Sequence, residues 1–148
     1  AANGVHAILR TSWVFSAHGN NFVKTMLRLS ESHKALNVVA DQIGGPTPAD
    51  AIAVACLEIA SQLSTCPEKS GTYHLTGSPN ISWYNFAQTI FSITKQEVAA
   101  NSILTSDYPT AANRPLNSRL DCSTTKNRFG ISRPNWHAGL KKVLRELS

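Results

Sequence analysis

Residues 8–15 constrain the fold of this chain more than any other stretch of the sequence. The stretch begins with an apolar run and then changes to Arg10, Thr11, Ser12 and Trp13. A buried strand of a parallel sheet reads as a near-continuous apolar run, and open α/β sheets bind ligands beyond the carboxyl ends of such strands. We therefore expect a buried parallel strand whose end presents these four residues to a ligand. A core position for Trp13 is the alternative, because tryptophan is highly buried on average.

Length and composition indicate one ordered domain with a core of its own. The chain has 148 residues, of which 42% are hydrophobic and 16% charged, as is typical of globular proteins. No apolar run approaches the roughly 20 residues that a membrane-spanning helix needs, and no signal peptide is visible. We expect a cytoplasmic protein with no membrane partner. The three cysteines form no Cys-x-x-Cys pair, which favours a reducing compartment without a disulfide framework.

The positive charge is concentrated near the C-terminus. The net charge is +5, and residues 114–148 carry eight Lys and Arg residues against two acidic ones. Such an end could attract a polyanion, but no zinc-finger, RRM or KH pattern accompanies it. We therefore expect no nucleic acid partner. A phosphorylated small molecule would need only one or two of these arginines.

Capping residues and hydrophobic periodicity predict alternating helices and strands. The predicted elements are a helix capped by Asn20 or Asn21, a strand over 36–39, a helix over 49–63, a strand over 71–76, a helix capped by Ser82, a short helix capped by Ser123 and ending near Gly130, and a helix capped by Asn135. The helix over 49–63 is apolar on most sides, which predicts burial. The aromatic stripe that begins at Trp83 is predicted to be core. Residues 102–118 form a long polar segment, typical of functional or disordered loops.

The sequence lacks the common catalytic motifs. The five histidines are scattered, and neither a Gly-x-Ser-x-Gly elbow nor a phosphate-binding glycine motif occurs, which disfavours metal, serine-nucleophile and P-loop chemistry. The sequence therefore indicates a ligand-contacting part without its own catalytic residues.

Five short motifs nevertheless occur in one order along the chain. They are Arg10-Thr11-Ser12-Trp13-Val14-Phe15, Gly19-Asn20-Asn21-Phe22, Asp41-Gln42-x-Gly44-x-Pro46-Thr47, Gly71-x-Tyr73-His74-Leu75 and Arg114-Pro115-x-Asn117-Ser118-x-Leu120. This series resembles the C-terminal half of the dTDP-4-dehydrorhamnose reductase family, within the extended short-chain dehydrogenases/reductases. The resemblance implies an α/β fold, the C-terminal part of a Rossmann-like protein with its smaller substrate-binding domain. Residues 1–15 would form the last Rossmann-type strand region and residues 16–148 mostly the substrate domain.

The resemblance implies an activity for the intact protein. It is the NADPH-dependent reduction of dTDP-4-dehydro-L-rhamnose to dTDP-L-rhamnose, which serves cell-wall polysaccharide synthesis. The family's Tyr-x-x-x-Lys pair and Gly-rich turn are absent from this sequence, so we expect them upstream of Ala1, in an N-terminal NADPH-binding domain missing from this chain. The fragment alone should then be inactive, with the dTDP-sugar and the missing domain as partners and a homodimer as a further option. A non-catalytic regulatory or binding subunit is the alternative, because fold does not fix function.

The resemblance also implies roles for particular residues. Trp13 would pack on the substrate sugar, since its apolar face suits the C–H face of a pyranose. The cofactor's nicotinamide end would lie beside Arg10, Thr11 and Ser12. The residues expected to line the nucleotide-sugar pocket are Asn21, Phe22, Gln42, Gly44 and Arg114.

Four of these pocket residues have a structural alternative. Asn21 can be a helix cap, Phe22 a core residue and Gln42 a turn residue. Arg114 is our choice for the diphosphate, because a guanidinium forms bidentate charge-assisted hydrogen bonds. It could instead be a solvated loop charge, and Arg119 is the competing ligand.

Overall fold

The structure, a computed structural model, describes residues 4–108 and 114–148. Short strands alternate with helices along the chain. In order, the elements are β1 (Ala7–Arg10), β2 (Val14–Phe15), α1 (Phe22–Ser30), β3 (Ala35–Val39), β4 (Ile43–Gly44), β5 (Thr47–Pro48), α2 (Ala49–Thr65), β6 (Gly71–His74), β7 (Ile81–Ser82), α3 (Trp83–Thr94), β8 (Ala99–Ile103), α4 (Ser123–Phe129) and α5 (Trp136–Glu146). In the described part of the chain, no helix is both long enough and apolar enough to cross a membrane.

The parallel pair β1 and β6 joins the start of the chain to its middle. Ala7 lies opposite Gly71, and Arg10 lies opposite His74. Among the described residues, β1 pairs with β6 alone. One face of the pair packs on α2 and α4 through a cluster that includes Ile59, Leu63, Tyr73 and Phe129. Helix α2 therefore lies across one side of this sheet, and a short 3-10 helix, Pro67–Lys69, connects it to β6.

The predicted burial of the first strand is wrong for its other face. Ile8 is 52% exposed, because successive side chains of a strand point to opposite faces and only the Leu9 side is covered. The strand does not extend to Trp13. It ends at Arg10, and Trp13 has a positive φ of 53° that interrupts the extended backbone.

A second parallel pair, β3 with β8, lies beside the helices. Leu36 lies opposite Ala100, and Val38 lies opposite Ser102. The predicted strand over 36–39 is confirmed, whereas β8 was not predicted. Its sequence, Ala-Ala-Asn-Ser-Ile, has few of the β-branched and aromatic residues that mark strands. Pairing with β3 therefore determines its conformation.

The main core lies between α1, α3 and α5. Its fully buried side chains include Val23, Phe86, Ile90, Trp136 and Leu140. The predicted caps of these helices are confirmed. Their side-chain oxygens accept the backbone N–H of the third helical residue, in the pairs Asn21 with Lys24, Ser82 with Asn85 and Asn135 with Ala138.

Two other helix predictions need correction. Helix α2 is not buried all round: Val54 and Leu57 are 67% and 74% exposed, because α2 packs only through its other face and no described residue covers this one. Gly130 follows the last residue of α4 in the left-handed conformation, as predicted, but Ser123 is the first residue of the helix and not its cap. Asp121 takes the capping role by accepting the Ser123 N–H at 2.9 Å.

Candidate functional site

A cavity of about 680 Å³ opens between α1, β3 and the turn that follows β1. Its walls are mostly apolar and aromatic. The lining residues are Trp13, Phe22, Thr25, Met26, Leu29, Leu36, Asn37, Val38, Val39, Gln42, Trp83, Tyr108, Arg114, Pro115 and Ser118. Of the predicted pocket residues, Trp13, Phe22, Gln42 and Arg114 lie on this cavity, so the structure brings together parts of the chain about 100 residues apart.

Trp13 lies in the turn between β1 and β2 and is held from several sides. Its indole stacks on Trp83 with ring centroids 3.5 Å apart and planes at 10°. Its carbonyl accepts the Thr47 N–H at 3.0 Å. Gly44 packs against the same indole so closely that a Cβ there would lie 2.6 Å from Trp13 Cε2. Gly44 is thus buried beside the cavity and supports Trp13 without lining the cavity itself.

Gln42 belongs to a hydrogen-bonded chain that fixes its amide. The Thr105 hydroxyl donates to Asp41 Oδ1 at 2.6 Å and accepts from Gln42 Nε2 at 3.2 Å. Because that hydroxyl has one hydrogen, its donation to Asp41 requires the Gln42 amide to present Nε2 to Thr105. The hydrogen bonds that the Thr105 hydroxyl and backbone N–H donate to Asp41 lower the pKa of this carboxyl below its usual value. Gln42 is only 8% exposed and is both a turn residue and part of the cavity wall.

Arg114 supplies the charge of the site. It is the one charged side chain among the described residues that line the cavity, and it is exposed. The segment after it is anchored to β4, since the Ile43 N–H donates to the Leu116 carbonyl and the Ser118 N–H donates to the Ile43 carbonyl, both at 2.8 Å. The polar segment predicted over 102–118 lies partly outside the described residues, at positions 109–113.

The competing arginine does not line the cavity. Arg119 Nε donates to Asn117 Oδ1 at 2.8 Å, within its own turn. Other members of the basic C-terminal region have structural partners. Arg133 donates to the Thr76 carbonyl at 3.1 Å, and Lys142 pairs with Asp50 at 2.7 Å. Several of the basic side chains that could have suggested a polyanion therefore make contacts within the fold.

The remaining predicted site residues lie near the cavity but not in its wall. Arg10 and Thr11 are exposed at the carboxyl end of β1. Ser12 is partly buried, and its hydroxyl donates to the Ser118 carbonyl at 3.4 Å. Asn21 caps α1, and its Nδ2 donates to the Ser16 carbonyl at 2.8 Å, so both ends of its amide have protein partners.

Sequence reasoning missed several lining residues, and Trp83 matters most among them. Trp83 packs against the main core, as its stripe predicts, but as the first residue of α3 it also lines the cavity. Its place directly after the cap was the available signal, because the first turn of a helix extends beyond the packed face. No such signal marked Tyr108, which is 51% exposed in the polar segment.

Clusters suited to other chemistry are absent from the described ranges. Across residues 4–108 and 114–148, no three His, Cys, Asp or Glu side chains converge as metal ligands. The Tyr73 hydroxyl donates to the Lys69 carbonyl, and Tyr73 does not line the cavity. The arrangement is therefore suited to binding: an apolar pocket with an arginine at its rim and an oriented amide in its wall.

Comparisons with known proteins agree with this reading of the fold. The dTDP-4-dehydrorhamnose reductase of Sinorhizobium fredii is 46% identical over 150 residues, which cover 97% of this chain and 51% of the relative. That of Aggregatibacter actinomycetemcomitans is 47% identical over 143 residues, covering 92% of this chain and 49% of the relative. The chain thus spans about half the length of the curated relatives it matches.

Solved structures of reductases also match this chain over about half of their own length. A dTDP-4-dehydrorhamnose reductase from Clostridium acetobutylicum superposes with a TM-score of 0.88 at 35% identity, over 95% of this chain and 48% of that one. A reductase of the same name from Bacillus anthracis, solved in complex with NADP, gives 0.81 at 36% identity with the same coverage. These matches confirm the predicted fold class, an α/β C-terminal part of a reductase. The whole chain, residues 1–148, matches the family described as the RmlD substrate binding domain, and the chain belongs to that family.

Proposed function

We propose that this chain is the sugar-nucleotide-binding half of a reductase that converts dTDP-4-dehydro-L-rhamnose to dTDP-L-rhamnose with NADPH. The observation that carries the proposal is the cavity, in which Arg114 stands at the edge of an aromatic and apolar pocket. A nucleoside diphosphate sugar has matching parts: a flat base, a sugar with an apolar face and a diphosphate with two negative charges. The names of the relatives support the choice of sugar and reaction.

Arg114 would bind the diphosphate. Its guanidinium can donate parallel hydrogen bonds to phosphate oxygens, and no other charged side chain among the described residues lines the cavity. Gln42 would hold a polar edge of the ligand, because Thr105 takes its Nε2 and leaves its Oε1 as an acceptor. Trp13 and Phe22 would contact the sugar and the adjoining part of the nucleotide.

The carboxyl end of β1 would face the cofactor. Arg10 and Thr11 are exposed there, at the position where open α/β sheets bind ligands, so the residues present fit a nicotinamide dinucleotide. When bound, NADPH supplies the hydride for the C4 carbonyl of the sugar. This chain would orient that carbonyl and hold the diphosphate, while the half of the protein outside this chain would hold most of the cofactor. The fragment alone should therefore bind the sugar nucleotide without reducing it.

The binding role is tested by calorimetry of the full-length protein with dTDP-rhamnose. Arg114→Ala should cost about 1.5–3 kcal/mol of binding free energy, the range for hydrogen bonds to charged groups. Arg119→Ala is the matched control, since Arg119 is an exposed arginine of the same segment that does not line the cavity, and it should bind as the wild type does. Equal affinity of wild type and Arg114→Ala would remove Arg114 from the site.

The reaction is tested by NADPH oxidation with dTDP-4-dehydrorhamnose as substrate. The full-length protein should consume NADPH only when this sugar nucleotide is present. Tight binding of dTDP-rhamnose without any turnover would instead support a non-catalytic binding subunit.

A further inference from the structure

Three aromatic rings form a column beside the cavity. Trp83 stacks on Trp13 with centroids 3.5 Å apart. Phe22 packs on Trp83 with centroids 4.4 Å apart and planes at 40°. All three residues line the cavity. The column continues into the core through Phe86, whose centroid lies 5.6 Å from that of Phe22, so its position is fixed by buried packing.

Gly44 covers the second face of Trp13. A Cβ on Gly44 would lie 2.6 Å from Trp13 Cε2 and 2.9 Å from each of Cζ2 and Nε1, the atoms bonded to Cε2 on either side. An approach in the ring plane would bring those flanking atoms closer than Cε2, so the approach is onto the ring face. The three atoms nearest this Cβ all belong to Trp13 and none to Trp83. Gly44 therefore lies on the face opposite Trp83, and the indole is held between them.

A tryptophan with both faces covered meets a cavity through its edge. The edge of an aromatic ring is electropositive, whereas its face is electronegative, and the indole edge carries an N–H donor. Neither Trp13 Nε1 nor Trp83 Nε1 has an acceptor among the residues that the structure describes, although Trp136 Nε1 donates to the Pro79 carbonyl at 2.7 Å. The expected contact of Trp13 with the sugar thus changes from its face to its edge.

We propose that Trp83 is a substrate-positioning residue: it holds Trp13 edge-on to the cavity, so that the ligand's sugar oxygens meet the indole rim and its N–H instead of the ring face. The proposal rests on the proposed function, which makes this cavity the sugar-nucleotide site. The backbone of Trp13 agrees with a fixed ring. Its φ of 53° is unusual for a bulky residue, and such conformations persist where the surroundings determine them, typically at functional sites.

Circular dichroism can report whether the Trp13–Trp83 stack persists when the ligand binds. Two stacked indoles whose in-plane transition dipoles are rotated relative to each other give an exciton couplet in circular dichroism, which is isolated as the difference between the full-length wild type and its Trp83→Phe variant. Addition of saturating dTDP-rhamnose to the wild type should leave the couplet in place, because the ligand meets the edges of an intact stack. Loss of the couplet on binding would mean that the sugar inserts between the rings, and would overturn the proposal.

Calorimetry separates this proposal from the proposed function. Wild type should bind dTDP-rhamnose more tightly than dTDP. Trp83→Phe should reduce that preference by about tenfold, equivalent to about 1.4 kcal/mol, with dTDP affinity unchanged. Tyr84→Phe is the control, since Tyr84 is the next residue of α3 and does not line the cavity. If Trp83→Phe prefers dTDP-rhamnose over dTDP as strongly as the wild type does, the proposed role of Trp83 is overturned. Failure of wild type to bind either ligand overturns the proposed function instead.

Discussion

Thr47 offers the sharpest test of how the site is built. Its side chain is fully buried. Its hydroxyl lies 2.8 Å from the Ser12 carbonyl and 2.9 Å from the Gly45 carbonyl, and it accepts the Gly77 N–H at 3.1 Å. One hydroxyl thus ties the turn before Trp13 to the glycine turn after β4 and to the end of β6.

Thr47→Val keeps the shape of this side chain and removes its hydrogen bonds. The Gly77 N–H would remain buried without an acceptor, and a carbonyl would lose its donor. An unsatisfied buried polar group costs about 1–3 kcal/mol. For a chain of this size, 1 kcal/mol corresponds to a change of about 3 °C in melting temperature, so we expect a loss of about 3–9 °C.

The assay combines urea unfolding with amide hydrogen exchange. Thr47→Val should lower the free energy of unfolding by about 1–3 kcal/mol and accelerate exchange at the Gly77 amide. Thr47→Ser is the control: it keeps the hydroxyl and should keep the slow exchange at Gly77, though it loses a methyl group. Wild-type stability in Thr47→Val, with unchanged exchange at Gly77, would refute the reasoning.

Two further predictions concern the cavity wall. Gly44→Ala should destabilise the protein by about 1–3 kcal/mol, as overpacking does. The new Cβ would lie 2.6 Å from Trp13 Cε2, and the stacked Trp83 ring prevents the Trp13 indole from moving away. Gly4→Ala is the control: a Cβ there meets nothing within 4 Å, so the melting temperature should not change. The pKa of Asp41 is lowered mainly by the hydrogen bond from the Thr105 hydroxyl. The difference in unfolding free energy between wild type and Asp41→Asn should therefore be fully present above pH 3.8, the ordinary pKa of this carboxyl. It should disappear as the pH falls through the lower pKa that Asp41 has in the folded protein. A difference independent of pH in urea titrations would contradict this role of Asp41.

Local features of the fold could be predicted from the sequence because their causes are local. A cap such as Asn135 needs only the backbone N–H three residues ahead, and Gly130 needs only its own left-handed conformation. The resemblance implies a pocket of six residues. Four of them, Trp13, Phe22, Gln42 and Arg114, line one cavity, whereas Asn21 and Gly44 do not. Whether they bind substrate remains a prediction.

Long-range features could not be predicted, since distant parts of the chain decide them. Strand β8 exists because β3 pairs with it, and its own residues give little indication of a strand. The exposure of Leu57 depends on what packs against α2 and not on the composition of that helix. Trp83 has the spacing of a core residue, yet Trp13 from a distant turn stacks on it, and both line the cavity.

The central claim is that dTDP-rhamnose binds in the cavity beside the paired indoles. It is tested most directly by the indole N–H signals of the ¹⁵N-labelled full-length protein, assigned through Trp→Phe variants, during titration with this ligand. The signals of Trp13 and Trp83 should shift on binding, and that of Trp136, which is buried and bonded to Pro79, should stay in place. Saturable binding that leaves both cavity signals unchanged would contradict the account.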